Sequence, residues 1–443
     1  MKRVIVMGAG GRDFHDFNVV LRDDPAVEVV AFTAAQIPGI EDRTYPATYA
    51  GPRYPEGIPI VGEDQLAELI ARERVDEVVF AYSDVPYDFV MGRAAIALAG
   101  GADFRLIGPR ASEIPARIPV VGVCAVRTGA GKSQTSRAVG RMLIERGLRV
   151  GLIRHPMPYH DLEDIGVQRF RTLAEIDASN PTVEEREEYE RPLDDGIVVY
   201  AGVDYEAIAE LAADDGDVII WDGGNNDLPF LRCDLLLVVV DPLRAGDELA
   251  YHPGEANLRK ADVVVINKLD SATSEQIERV RRDVEILNPD APVIEAESPV
   301  TLADGPSLEG RPVLVIEDGP SVTHGGMAYG AGTVAAREAG ALPVDPRPFA
   351  VGSIAETFER FPHLNAVLPA MGYSAEQLRD LERTVAAVDC EAVIAGTPID
   401  LGRLIKSDKP IRGTGYEFRQ VGGPSLEQLL EPIAAAASAR EGG

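Results

Sequence analysis

At 443 residues, with 45% apolar side chains, the chain is long enough for two or three packed domains. Its 72 acidic and 43 basic residues leave a formal charge of −29, which argues against non-specific nucleic-acid binding. No apolar run reaches the ~18–20 residues of a membrane span, so a cytoplasmic protein with no nucleic-acid or membrane partner is expected. Cys124, Cys233 and Cys390 are too few and too widely spaced for a disulfide framework or a metal-ligand pair, and read as buried thiols.

In chain order, Arg3–Met7 reads as a strand, followed by the turn Gly8–Gly11 and a helix to about Arg22. Val27–Thr33, Val75–Ala81 and Phe104–Ile107 read as further strands, separated by helices over Gln65–Arg74 and Val90–Ala99. Strands alternating with helices predict a doubly wound parallel sheet. The turn Gly8-Ala9-Gly10-Gly11 carries part of a dinucleotide fingerprint, but Asp13 fills the third glycine slot. An NAD site, a site for another anion and a structural turn all stay open there. Pro109–Pro119, with three prolines, reads as a linker.

Val120–Ser133, VVGVCAVRTGAGKS, reads as a buried strand turning through glycines into a helix that begins at Lys132 and Ser133. Such a turn offers backbone N–H groups from Thr128, Gly129, Ala130, Gly131 and Gln134 to phosphates, a lysine for the outer phosphates and a serine hydroxyl for Mg²⁺. Val126 stands where the common G-x-x-x-x-G-K-[ST] pattern has glycine. Arg127, five positions before the lysine, matches a second form of the loop, in which the arginine reaches phosphates or stabilises transition-state charge.

Leu148–Ile153 then reads as a strand ending in Arg154 and His155, and Glu184–Glu190 as a solvated helix face. The strand Asp217–Asp222 ends in a carboxylate expected to hold Mg²⁺ with Ser133. Asp262–Asn267 leads into Asn267-Lys268-Leu269-Asp270, an N-K-x-D sequence that reads a nucleotide base, with ATP or GTP open. Glu317–Met327 places two carboxylates, a turn and His324 before two glycines; His324 is a general acid/base candidate or an ordinary loop histidine. Ligands bind at the carboxyl ends of parallel strands, so Arg154, His155 and Arg412 are candidate substrate residues, with Lys406 and Lys409 nearby in sequence. The remaining strands are Leu235–Asp241, Val293–Ala296, Val313–Glu317, Ala392–Ala395 and Ile411–Phe418. The fold class is α/β: a Rossmann-like parallel-sheet domain over 1–118, a P-loop NTPase domain over 119–318, and a C-terminal α/β region over 319–443 that is either separate or continues the P-loop sheet.

The segments AVRTGAGKSQTSR, WDGGNND, NKLD and EDGPSVTHGGM, with the opening VIVMGAGGRDFHDFN, resemble the cyclic 2,3-diphosphoglycerate synthetase family of archaea and bacterial relatives. The resemblance implies an ATP- and Mg²⁺-dependent ligase that closes a phosphoanhydride ring in 2,3-diphosphoglycerate and releases ADP and phosphate. Arg127–Ser133 would then hold ATP phosphates and Asp222 would support the metal. The expected partner is a phosphorylated small-molecule acid, and a homo-oligomer is expected. Two other classes fit the motifs: a GTPase of switch or metallochaperone type, suggested by N-K-x-D but lacking a Cys/His cluster, and a nucleotide-sensing regulator.

Overall fold

The computed structural model describes residues 1–35, 43–155, 166–179, 181, 183–224, 226–323, 325–370, 375–397 and 401–441. Among the described residues the chain builds three large sheets and one two-stranded ribbon. The first has six strands in the order Thr44–Tyr45, Ile58–Gly62, Val27–Ala34, Lys2–Met7, Glu77–Phe80, Asp103–Leu106, all parallel except the outermost Thr44–Tyr45. The helix expected to run to Arg22 is broken. A short α-helix, Arg12–Asp16, passes into a wider π-turn, Phe17–Leu21, closed by the Arg22 N–H on the Phe17 carbonyl at 2.7 Å. All five residues of Arg12–Asp16 are buried: Phe14 packs on Phe32 and Tyr45 of the first sheet, while Arg12 and His15 face the second sheet rather than water. Arg12 donates to the carbonyls of Leu228 and Ile107, and the His15 ring stacks on Phe230 with centroids 4.1 Å apart. Pro109–Pro119 is tied down rather than free: the Ile114 N–H donates to the Phe230 carbonyl at 2.8 Å.

The second sheet has nine strands, in the order Gln168–Phe170, Val198–Ala201, Val150–Arg154, Val218–Gly223, Val120–Ala125, Leu235–Val240, Val263–Ile266, Val293–Glu297, Arg419–Gly422. Its inner strands are parallel and its two outermost strands antiparallel. Near-continuous apolar runs suit strands covered on both faces. Val121, Val123 and Ala125 pack beneath the helices Lys132–Glu145, Leu426–Leu429 and Glu431–Glu441. Val120 and Cys124 face the other way, onto the helices Tyr205–Asp215, Gly254–Lys260 and Ser274–Leu287. Burial pushes the Cys124 thiol up to about 12, so it packs as an apolar group.

The third sheet runs Val300–Leu302, Ile411–Tyr416, Ala392–Gly396, Pro312–Asp318, Leu342–Pro343, with Leu368–Ala370 also on Pro312–Asp318. The strand expected over Ile411–Phe418 divides. Ile411–Tyr416 stays in the third sheet, and Arg419–Gly422 crosses to the edge of the second. Glu295 pairs with Gly422, Glu297 with Arg419, Val300 with Tyr416 and Leu302 with Thr414, so one antiparallel ribbon runs through both sheets and fixes the cleft between them. Among the described residues no helix is long and apolar enough to cross a membrane.

Asp16 is fully buried, and neither carboxylate oxygen finds a hydrogen bond among the described residues; the Arg12 Nε lies 3.5 Å away. Burial outweighs that guanidinium and pushes the carboxyl up to about 7. A carboxyl raised in the fold opposes folding only once ionised. Its cost is therefore absent below the ordinary carboxylate range and grows as pH rises to about 7. Asp16→Asn should gain stability relative to the parent chain between about pH 4 and about pH 8. Urea unfolding at several pH values checks this, and a stability difference independent of pH would refute it.

Candidate active site

The buried strand Val120–Ala125 ends in a turn that reverses into the helix Lys132–Glu145. Gly129 and Gly131 make the reversal possible at φ +79° and +112°, where a β-carbon is disfavoured. Donors behind the loop hold its carbonyls. Arg244 Nη2 donates to the Thr128 carbonyl at 2.7 Å, Lys268 Nζ to Gly129 at 2.5 Å and Asn267 Nδ2 to Ala130 at 3.0 Å. With the carbonyls committed there, the unpaired N–H groups of the helix's first turn are left for an anion.

Ionic contacts surround the loop. Lys132 Nζ reaches the Asp222 carboxylate at 2.9 Å and also its carbonyl. Ser136 Oγ donates to the same carboxylate at 2.7 Å, and Arg154 pairs with its other oxygen. Burial would raise the Asp222 carboxyl, but Lys132 and Arg154 outweigh it and hold it below the usual range. Asp241 follows the same pattern: burial is outweighed by Lys268 and Arg244. Arg154 also binds Glu188 at 2.6 Å, so the helix Val183–Asp194 is more than a solvated face, and Tyr189 on it is buried.

A cavity of about 260 Å³ lies between the loop and the third sheet. Thr128, Gly129, Gly131, Lys132, Ser133, Gln134, Arg154, Asp222 and Lys268 line it on one side. Glu317, Asp318, Ser321, Tyr329 and Tyr416 form the opposite wall. The buried Glu317 carboxylate accepts the N–H groups of Gly330, Gly332 and Thr333 at 2.7–2.9 Å. Asp318 caps the next turn through the Ser321 N–H at 3.2 Å, and burial raises its carboxyl above the usual range. Toward the N-K-x-D end, Ser298 donates its N–H to Asp270 at 3.1 Å and its hydroxyl to Gln134 at 3.0 Å.

Most of the expected site residues therefore meet. Ala130 is buried within the loop, Asn267 sits behind it, and Asp270 is exposed at the same end of the sheet. Three expectations are corrected. Arg127 does not project toward phosphates: its guanidinium is buried between Asp84 at 2.7 Å and Asp247, 3.6 Å from the centre of the Tyr251 ring. His155 points toward the first sheet, hydrogen-bonded to Tyr205 at 2.6 Å and Asp227 at 2.5 Å. Arg412 binds the Ala303 carbonyl at 2.8 Å and that of Pro306 at 2.9 Å, bracing a loop away from the cavity. Lys409 likewise caps carbonyls of Val385 and Ala386. His324 lies outside the described residues. The turn Gly8–Gly11 closes on its own Asp13, whose carboxylate takes the Gly10 and Gly11 N–H groups at 2.8 and 3.1 Å, so an internal anion fills the place a pyrophosphate would need. Sequence reasoning missed Glu188, Asp241 and Arg244. Asp241 alone carried a signal, as a carboxylate ending an apolar strand.

Residues 219–295 match the CobW/HypB/UreG nucleotide-binding domain family. The chain is 54% identical over 431 residues, 97% of its length and 96% of the relative's, to the arginine synthetase ArcE of Thermococcus kodakarensis. It is 25% identical over 107 residues, 24% of each chain, to the cyclic 2,3-diphosphoglycerate synthetase of Thermococcus sibiricus. Among solved structures it overlaps LpxK from Aquifex aeolicus, crystallised with ATP, at 14% identity and a TM-score of 0.44, over 79% of this chain and 95% of that one.

Replacing Lys132 by alanine removes the loop's ammonium group while Arg154 and Ser136 still hold Asp222. Lys132→Ala should lower ATP turnover by at least about 100-fold with little change in the unfolding midpoint. Turnover at the parent rate would exclude the loop as the reaction site.

Proposed function

This chain belongs to the family of the arginine synthetase ArcE, and from that membership we propose that it is an ATP-dependent ligase whose product is arginine. The broader activity is that of a P-loop, ATP-binding ligase. A guanidinium differs from a ureido group by one nitrogen in place of oxygen, so its synthesis requires that oxygen to be made a leaving group. In this reading the ureido oxygen attacks the γ-phosphorus of ATP and ADP departs. Ammonia then adds to the activated carbon, and phosphate and a proton leave. Lys132 and the loop N–H groups would hold the transferring phosphoryl group, and closure of the cleft would align the reactants. Ser133 and Asp222 would hold the Mg²⁺ that accompanies a nucleotide, a hard cation suited to hydroxyl and carboxylate oxygens; bound there, it neutralises phosphate charge.

The observation that carries this reading is the charge balance of the cavity. Lys132, Arg154, Lys268 and Arg137 are each already paired with a carboxylate, respectively Asp222, Glu188, Asp241 and Asp195. Asp318 on the facing wall has no cationic partner among the described residues. An amino-acid substrate brings an ammonium group to that carboxylate. A bisphosphorylated acid brings only further negative charge. Ring closure in 2,3-diphosphoglycerate is the second reading. It shares the first phosphoryl transfer, and the partial likeness to that synthetase supports it.

Purified protein with ATP and Mg²⁺ should release ADP and phosphate when given citrulline and ammonium, with arginine detected by amino-acid chromatography. Phosphorus NMR of a parallel reaction with 2,3-diphosphoglycerate should show no cyclic species. The reverse pattern would replace the first reading by the second, and substitution of GTP for ATP tests the choice of base. Asp318→Asn should raise the KM for the amino acid about tenfold while leaving the KM for ATP unchanged. Equal shifts in both constants would remove Asp318 from the acceptor site.

A further inference from the structure

The phosphate loop is held from a direction its own sheet does not supply. Beyond the strand Glu77–Phe80 the first-sheet chain does not turn straight back. It reaches across, and Val85–Pro86 pairs with Tyr251–His252 of the nucleotide-binding region. At the crossing point Asp84 adopts φ +57°, a conformation uncommon for a residue with a β-carbon. Both of its carboxylate oxygens are used. One accepts the Arg127 Nε–H at 2.7 Å, and the other accepts the Thr128 backbone N–H at 3.0 Å. Both side chains of the pair are nearly inaccessible, at 9% for Asp84 and 5% for Arg127. Arg127 is fixed on its other edges by Asp247, by the ring of Tyr251 and by the Gly325 carbonyl at 3.4 Å.

Thr128 is thereby bound at three atoms. Its N–H goes to Asp84, its carbonyl takes Arg244, and its hydroxyl accepts from Asn226 Nδ2 at 3.3 Å. The next residue is Gly129, the first of the two left-handed glycines that shape the phosphate cradle. A residue anchored at every polar atom sets where the following amides point. Holding a non-glycine residue in the left-handed region is unfavourable unless surrounding contacts compensate, and the contacts Asp84 gains lie on the phosphate loop.

We infer that Asp84 is a positioning residue for the nucleotide site: a carboxylate from the first sheet sets the phosphate loop, so the nucleotide-binding sheet does not complete its site alone. The inference rests on the loop binding ATP, and not on which acceptor is used.

The test compares the full-length parent, Asp84→Ala, Asp84→Asn and Ser83→Ala, by calorimetric titration with Mg²⁺–ATP and no acceptor. The melting point of each nucleotide-free protein is measured alongside. Ser83 is the control. Its hydroxyl donates to Asp227 across the same interface one residue away, without touching the loop. Asp84→Ala should bind ATP about tenfold more weakly. Asp84→Asn, which keeps an acceptor for the Thr128 N–H, should fall between that variant and the parent, and it decides the matter alone if Asp84→Ala does not fold. Ser83→Ala should bind as the parent does. The affinity losses should exceed what the nucleotide-free melting points account for. Parent-like affinity in both Asp84 variants overturns the inference. So does an equal loss in Ser83→Ala, which would make the effect one of interface stability. If the parent itself binds no ATP, the nucleotide assignment falls and takes the inference with it; if the parent binds and the Asp84 variants bind equally well, the inference alone falls.

Discussion

Beneath the phosphate loop, the Asp222 carboxylate is buried where an isolated carboxyl would take up a proton. Lys132, Arg154 and Ser136 keep it ionised, and through it they are drawn together at the end of the strand Val218–Gly223. The loop's ammonium group is thus stored on an internal anion. A triphosphate that enters must draw Lys132 toward itself, and Arg154 then remains to balance Asp222. In a protein carrying a formal charge of −29, a phosphate entering this cleft depends on Lys132 and the loop N–H groups for its counter-charge.

The parts of this design that sequence made legible are local ones. Val120–Ser133 announces itself because a buried strand, a glycine turn and a helix start lie within fourteen consecutive residues. Asp222, Asn267 and Lys268 were legible because each closes an apolar strand, and parallel strands bring their carboxyl ends to one edge. Arg127 and His155 were misread because their partners are remote: Asp84 lies 43 residues from Arg127, and Asp227 lies 72 from His155. No local pattern tells a guanidinium whether it will meet a phosphate or a carboxylate from another sheet. The break at Phe17 was hidden for a similar reason, since polar residues such as Arg12 and Asp16 imply a solvated helix until a second sheet covers them.

The glycine turn of the first sheet carries the same lesson in reverse. Its residues have the look of an anion cradle, and it does cradle an anion, the side chain of Asp13. The sheet edge that would hold a dinucleotide in an isolated domain is instead spent on contacts with its neighbour, through hydrogen bonds of Arg12, Ser83 and Asp84 and the stacking of His15 on Phe230.

The ribbon that joins the second and third sheets also constrains the order of assembly. The strand Val293–Glu297 finds its edge partner only in Arg419–Gly422, and the whole third sheet lies between them in the chain. While a ribosome delivers residues 300–418, the nascent nucleotide-binding sheet presents an open edge and a face still missing Leu426, Leu430 and Ile433. Such an edge is a template for wrong pairing. Expression yield is therefore exposed to events late in translation, long after the phosphate loop has emerged.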